Sequence, residues 1–318
     1  MPVLVAAVFS ALLLRKPNFT SAPVSVDLNV LKSRLDAVCQ KFHGRIGYCV
    51  KDLESGETIS IRGDERFPTA STIKTAVALE AIREIDEGKL KWTDKHTVPP
   101  MDGRQFSMWS YFFKDGTTLD VDGWVNLMLT VSDNTATMVL REWMTPDKVN
   151  HRLESLGLHN TKVLWDNYPP DEPDKIRLRS QFGLGMTTPK EMNTLIELLY
   201  RHKAASVAGC EKILRILSHQ YWDDYSGISV PLDVKVASKS GAIDRSRSEV
   251  SLVFAEHPYI LTIYTDSQKD QSWSPANEGG VTIRRMCSLI WNGLNPSRRY
   301  TPPKGFEQFL PTGGGMGD

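Results

Sequence analysis

The sequence predicts an α+β fold: an antiparallel five-stranded sheet flanked by helices, with an all-helical domain inserted. Two observations predict it. β-rich runs fall near the start (46–51, 58–62) and near the end (234–238, 249–255, 259–265), and helical patterns fill the interval between them. Strands that far apart bury their apolar faces most simply by pairing in one antiparallel sheet. The helices between them then form a second unit, and a cleft between the two parts is the default place for a site. The expected division is an α/β domain from 26–68 plus 219–298, a helical insert over 69–218, and a mobile Pro/Gly-rich tail over 299–318.

Each element has its own signal. Leu28, Leu31, Leu35, Val38 and Cys39 recur at helical spacing over 26–42. Gly44 and Gly47 bracket the change to strand character, and Leu53-Glu54-Ser55-Gly56-Glu57 joins the first two strands as a hairpin. Phe67-Pro68-Thr69-Ala70 leads into a helix over 71–87, with Gly88 as its stop. Thr118 or Asp120 caps a helix carrying Trp124, Leu127, Met128 and Leu129, which ends at Ser132. Helices follow over 134–143 and 146–156. The stretch 164–186 holds Pro169, Pro170, Pro173, Gly183 and Gly185, and reads as a long irregular loop of the kind that is often functional. Thr188-Pro189 opens a helix over 190–202, with proline in the favoured first turn. An amphipathic helix over 278–293 closes the fold.

The bulk properties exclude some classes. The 318 residues suit one large domain or two modest ones, with 41% hydrophobic and 24% charged residues in an ordinary globular balance. Lys+Arg and Asp+Glu are both 38, so no electrostatic argument favours nucleic acid or an anionic membrane surface. Cys39, Cys49, Cys210 and Cys287 form no Cys-x-x-Cys pair, which argues against a zinc or redox motif. Two disulfides are permitted, but buried thiols are the expectation in a chain this long. At the N-terminus, 3–14 is an apolar run of signal-peptide length, too short to span a bilayer, followed by Arg15, Lys16 and Pro17. It reads as an export signal or an uncleaved anchor within 1–25, against the blander reading of an N-terminal extension.

Three short motifs carry the chemistry. Ser71-Thr72-Ile73-Lys74 places a hydroxyl near a helix N-terminus, where free N–H groups and the dipole favour an oxyanion. Lys74 lies one turn further on the same face, and its amine becomes a base only if burial or neighbouring cations lower its pKa. Ser132-Asp133-Asn134 sits between two helices: Ser132 suits a proton relay, Asn134 an amide contact to substrate or to Lys74, and Asp133 holds the turn. Lys239-Ser240-Gly241 ends a strand, where glycine lets a substrate backbone approach and Lys239 and Ser240 suit a carboxylate. Singly, these are a capping serine, a helix cap and an ordinary polar strand edge. In this fixed order, each at the element its role needs, they point to acyl transfer through a serine ester.

The motifs resemble those of the serine β-lactamase and penicillin-binding protein superfamily, most of all its class A β-lactamases. Phe67-Pro68-Thr69-Ala70-Ser71, Val131-Ser132-Asp133-Asn134-Thr135-Ala136, Met186-Thr187-Thr188-Pro189 and Lys239-Ser240-Gly241-Ala242 carry the resemblance, which spans roughly 26–295. It implies the β-lactamase/transpeptidase-like fold and an exported, monomeric enzyme that opens β-lactams without metal or organic cofactor. Ser71 would attack the lactam carbonyl, and Lys74 would help deprotonate it directly or through water. Ser132 would pass a proton to the leaving nitrogen, and the Ser71 and Ala242 amides would form the oxyanion hole. Arg245 or Arg247 would reinforce binding of the substrate carboxylate. For deacylation the family uses a loop glutamate in a Glu-x-x-x-Asn arrangement. Glu172-Pro173 lies at a similar distance before Thr188-Pro189, but Ile176 stands where asparagine is expected. Asp166, Asp171 and Asp174 are the other acidic candidates.

Two rival readings remain at this level. One is a D-Ala-D-Ala carboxypeptidase or esterase on the same fold. The other is a β-lactam sensor whose acyl-enzyme persists. The stretch 101–115, with Trp109, Tyr111, Phe112 and Phe113, is expected to rim the cleft or to pack as an aromatic loop.

Overall fold

The computed structural model describes residues 27–104, 109–164 and 168–311. The signal-like segment and Asp166 lie outside the described residues. In chain order the helices are α1 (Leu28–Cys39), α2 (Lys74–Asp86), α3 (Val121–Thr130), α4 (Asn134–Leu140), α5 (Pro146–Ser155), α6 (Pro173–Phe182), α7 (Pro189–Tyr200), α8 (Val207–Leu217) and α9 (Glu278–Leu294). The strands are β1 (Arg45–Asp52), β2 (Thr58–Ile61), β3 (Phe67–Pro68), β4 (Lys95–Thr97), β5 (Thr118–Asp120), β6 (Lys162–Val163), β7 (Gly185–Thr187), β8 (Lys235–Ile243), β9 (Ser246–Phe254) and β10 (Tyr259–Asp266).

The main sheet has five strands in the order β2-β1-β10-β9-β8, every pair antiparallel. The early hairpin and the late strands join at β1 and β10, with Arg45 opposite Asp266 and Asp52 opposite Tyr259. The fold is therefore the α+β arrangement expected. α1 and α9 cover one face of the sheet, where Leu31, Leu35, Ile283, Ile290 and Trp291 meet Tyr48, Val253, Leu261 and Ile263. The other face packs Val250, Leu252, Ile260 and Tyr264 against a helical core built on Val77, Leu79, Trp124, Met128, Val139 and Leu195.

Local chemistry explains several boundaries. Asp27 caps α1 by accepting the Asn29 and Val30 amides, each at 3.0 Å. Thr188 caps α7, with Pro189 at its first turn. Residues Ala70–Ile73 form a 3-10 turn rather than the first turn of α2, so the expected 71–87 helix starts at Lys74. The expected loop after Leu164 contains a helix of ten residues, α6. Pro173 opens it, where its missing N–H is not needed, and Leu178 and Phe182 pack on Leu164 and Met186. α8, with its buried stripe of Cys210, Ile213, Leu214 and Leu217, was not among the expected elements.

The expected mobile tail is packed in part. The Trp291 Nε1–H donates to the Arg298 carbonyl at 2.8 Å, Asn292 Nδ2 donates to the Tyr300 carbonyl at 2.9 Å, and Leu310 is buried. All four cysteines are buried and unpaired. Among the described residues no helix is long and apolar enough to cross a membrane.

Candidate active site

Ser71 lies in the turn Ala70–Ile73, immediately ahead of α2 and beside β8. The turn is fixed from three sides. Thr69 N–H donates to the Gly185 carbonyl on β7 at 2.9 Å. The Thr72 hydroxyl donates to Thr69 O at 2.9 Å and lies 3.1 Å from the Tyr264 hydroxyl on β10. Ser248 Oγ on β9 donates to the Thr69 carbonyl at 3.2 Å. Ala70 itself is held at φ 45°, a conformation unfavourable for a residue with a side chain and one that persists only where the surroundings over-determine it.

Gly241 makes the close approach of β8 possible. A Cβ at this position would stand 2.6 Å from Ser248 Oγ, 2.7 Å from the Thr69 carbonyl and 2.9 Å from the Ser71 amide nitrogen. Two of these neighbours are backbone atoms that cannot swing aside. The glycine therefore serves the seating of the strand against the Ser71 turn. Ala242 follows on the same strand, so its amide and that of Ser71 belong to adjoining segments.

Lys74 is completely buried at the start of α2. Its Nζ donates to Ser132 O at 2.7 Å, to Asn134 Oδ1 at 2.8 Å and to Ser132 Oγ at 3.2 Å. Burial holds its ammonium well below the usual lysine range, the Lys239 charge pushes the same way, and Asp133 opposes both. Lys239 is 1% exposed on β8, and its Nζ donates to the Ser240 carbonyl at 3.0 Å. The fold thus brings the first and second motifs into direct contact, with the third alongside.

Ser132 is at φ 60°, the left-handed region, which presents both its carbonyl and its hydroxyl to Lys74. Asp133 secures this turn. It is 1% exposed and accepts the Ser110 hydroxyl at 2.6 Å, the Ser110 amide at 3.0 Å and the Ala136 amide at 2.8 Å. It is both the cap of α4 and the anchor of the 101–115 loop. That loop is pinned a second time by buried Arg104, which donates to the carbonyls of Pro99, Tyr111 and Phe113 and pairs with Asp115. Trp109 and Phe112 remain exposed on it, at 48% and 67%.

The other expected groups are held differently. Glu172 stands at the N-terminal cap of α6, its side chain 35% exposed, and its Oε1 accepts from Lys175 Nζ at 3.0 Å. Asp171 and Asp174 are exposed, and Asp174 pairs with Arg177. Arg245, at the tip of the β8–β9 hairpin, pairs with Asp266 and donates to the Gln181 carbonyl at the end of α6. Arg247 lies opposite Ala242 and is buried. It donates to the carbonyls of Ile243, Ser246 and Ser272, with its guanidinium 4.7 Å from the Trp273 ring centre. Both arginines are thus tied to protein groups at the margin of the cluster.

Sequence reasoning passed over three supporting residues. Ser110 and Ser248 carried no signal, because a lone serine has no pattern. Trp222, whose Nε1–H donates to the Val131 carbonyl at 3.0 Å just ahead of Ser132, stood in a stretch assigned to no element.

A half-buried serine one turn ahead of a buried lysine, a Ser-Asp-Asn turn and a Lys-Ser-Gly edge strand on this framework define the class of the serine β-lactamases and penicillin-binding proteins. The family model described as the beta-lactamase enzyme family matches residues 30–294, and the chain belongs to that family. It is 28% identical over 254 residues to the β-lactamase CARB-3 of Pseudomonas aeruginosa, covering 75% of this chain and 82% of that one. The fold superimposes on a β-lactamase from Sphaerobacter thermophilus with a TM-score of 0.74 at 22% identity, covering 87% of this chain and all of the other. It also superimposes on a mutant of PBP-A solved as an acyl-enzyme complex with penicillin G, with a TM-score of 0.73 at 20% identity over 85% and 97% of the two chains.

Proposed function

We propose that this chain hydrolyses β-lactams through an acyl-enzyme on Ser71. The observation that carries the reading is Lys74: a fully buried amine, depressed in pKa by burial and by Lys239, three residues from Ser71 and hydrogen-bonded to Ser132. A neutral Lys74 takes the Ser71 proton as the hydroxyl attacks the lactam carbonyl. The Ser71 and Ala242 amides receive the developing oxyanion. Ser132 hands a proton to the departing lactam nitrogen, and Lys74 re-protonates Ser132. Asn134 orients the substrate and Lys74, while Lys239 and Ser240 bind the substrate carboxylate and Gly241 keeps the strand close. Arg245 and Arg247 support this edge of the site from outside it, by holding the hairpin that carries Ala242.

Hydrolysis of the ester needs a base for water. We assign Glu172 to this step from its place in the loop before Thr188-Pro189. The assignment requires its carboxylate to leave Lys175. An exposed ion pair of this kind is worth only about 0.2–1 kcal/mol, so the departure is cheap. The apolar 3–14 segment supports export as the setting for such an enzyme.

Turnover of a chromogenic cephalosporin tests the reading. Many product molecules per protein are expected. One product per protein followed by silence would instead mark a peptidase or a sensor that captures the drug without releasing it.

A further inference from the structure

The end of α3 is closed by a segment far along the chain. A helix leaves its last carbonyls without partners of its own, and a glycine in the left-handed region commonly turns the chain so that they are met. Here the left-handed position falls on Ser132, at φ 60°. That conformation is unfavourable for a residue with a side chain and holds only where the surroundings impose it. The Asp133 N–H reaches back to the Leu127 carbonyl at 3.1 Å. The last two carbonyls, of Thr130 and Val131, are met from the segment after α8. Tyr221 N–H donates to Thr130 O at 3.0 Å, and Trp222 Nε1–H donates to Val131 O at 3.0 Å. The Tyr221 and Trp222 rings meet edge to face, 5.0 Å between centres, which fixes the direction of the half-buried indole.

We propose that Trp222 is a positioning residue for the reaction: by holding the Val131 carbonyl, its indole N–H keeps Ser132 in the left-handed turn that brings its hydroxyl to Lys74. The Val131 carbonyl and the Ser132 N–H belong to one rigid peptide plane. Holding that oxygen therefore fixes the plane against which Ser132 turns. On the other side of Ser132, Lys74 Nζ donates to its carbonyl at 2.7 Å and to its hydroxyl at 3.2 Å. Asp133, the next residue, is anchored by Ser110 and Ala136. Ser132 is thus gripped at both of its peptide bonds, and Trp222 is the side chain that grips the upstream one. Without the indole N–H that plane is free to rotate, Ser132 relaxes towards an ordinary φ, and its hydroxyl leaves Lys74.

The consequence falls on one step. Ser132 acts where the lactam C–N bond breaks, by handing its proton to the departing nitrogen and taking one from Lys74. The attack by Ser71 is supported elsewhere. The Ser71 turn is held by the Gly185 carbonyl, Tyr264 and Ser248, and Gly241 seats β8 against it. Lys74 keeps Asn134 Oδ1 as an acceptor at 2.8 Å when Ser132 moves. Loss of the indole N–H should therefore slow protonation of the leaving group and spare nucleophilic attack and oxyanion binding.

Two probes separate these demands. Acylation by a penicillin needs both the attack and a proton for the nitrogen. Phenylboronic acid needs only the attack: the Ser71 oxygen bonds to boron, the Ser71 proton passes to Lys74, and no leaving group departs. Trp222→Phe keeps an aromatic ring and removes the N–H. In this variant the penicillin acylation rate is expected to fall about 3–10-fold, the usual contribution of one hydrogen bond, while the inhibition constant of phenylboronic acid stays within about twofold. An unchanged penicillin rate would overturn the proposal. So would an equal loss on both probes, which marks a general packing role. Benzothienylalanine placed at position 222 exchanges the N–H for sulfur in a ring of the same shape, and it gives the same reading should the phenylalanine variant not fold. The inference rests on reading Ser132 as the proton donor, which Ser132→Ala checks separately. That variant should slow the penicillin and spare the boronic acid. An unslowed penicillin there removes the Ser132 reading and this proposal with it. A selective loss in Ser132→Ala beside an unaltered Trp222→Phe removes only the role of Trp222.

Discussion

Lys74 and Glu172 are both ionisable groups assigned to one reaction, and the fold treats them differently. Lys74 is fully buried, held by three oxygens of the Ser132-Asp133-Asn134 turn, and its charge is disfavoured by its surroundings. Glu172 is 35% exposed at the start of α6 and is satisfied by Lys175, itself 43% exposed. Lys74, assigned to acylation, is pre-organised by burial, whereas the carboxylate assigned to deacylation sits on a solvated helix end. Buried polar groups leave few alternative arrangements, because each unmet hydrogen bond is expensive. An exposed ion pair leaves many. Forming the ester should therefore depend on residues that cannot move, and releasing it on one that must.

The largest break in this comparison is Lys74→Ala. Loss of the base should lower the acylation rate by about 10²–10⁴-fold, measured as the burst rate with a chromogenic cephalosporin. A loss below tenfold would mean that another group deprotonates Ser71. Next comes Asp133→Ala, which removes a buried acceptor of three hydrogen bonds and a helix cap. It should destabilise the fold by about 2–4 kcal/mol in chemical denaturation and slow acylation through the displaced Ser132. Stability within 1 kcal/mol of wild type would deny Asp133 its anchoring role. Glu172→Gln addresses the other region. It should leave the burst intact and slow the following steady state by about 100-fold, so that adduct accumulates. An unchanged steady state would reject Glu172. The smallest effect is expected from Lys175→Ala, which should change stability by less than about 1 kcal/mol and spare the burst.

The same contrast governs what could be read from the sequence. The five strands, the Ser-x-x-Lys motif, the Ser-Asp-Asn turn and the Lys-Ser-Gly strand were legible because each needs particular residue types at fixed spacing, although Ser71 was expected in a helix and lies in a 3-10 turn. Gly241 has to be glycine where β8 meets the Ser71 turn, and Asp133 has to be a short acceptor where α4 begins. The loop after Leu164 was less legible. Its prolines suggested irregular backbone, yet Pro173 opens α6. Whether proline breaks or starts a helix depends on the contacts of Leu178 and Phe182, which lie outside the local pattern. The arginines Arg245 and Arg247 were placed from their distance past Lys239, but their partners, Asp266, Gln181 and Ser272, come from three other segments that sequence spacing cannot bring together.

The central claim is that Ser71 forms the covalent bond. Intact-protein mass spectrometry after a brief exposure to penicillin tests it most directly, in wild type made slow to deacylate by Glu172→Gln and in the same protein carrying Ser71→Ala. A mass increase equal to one penicillin is expected in the first and none in the second. An adduct that survives Ser71→Ala would contradict the account.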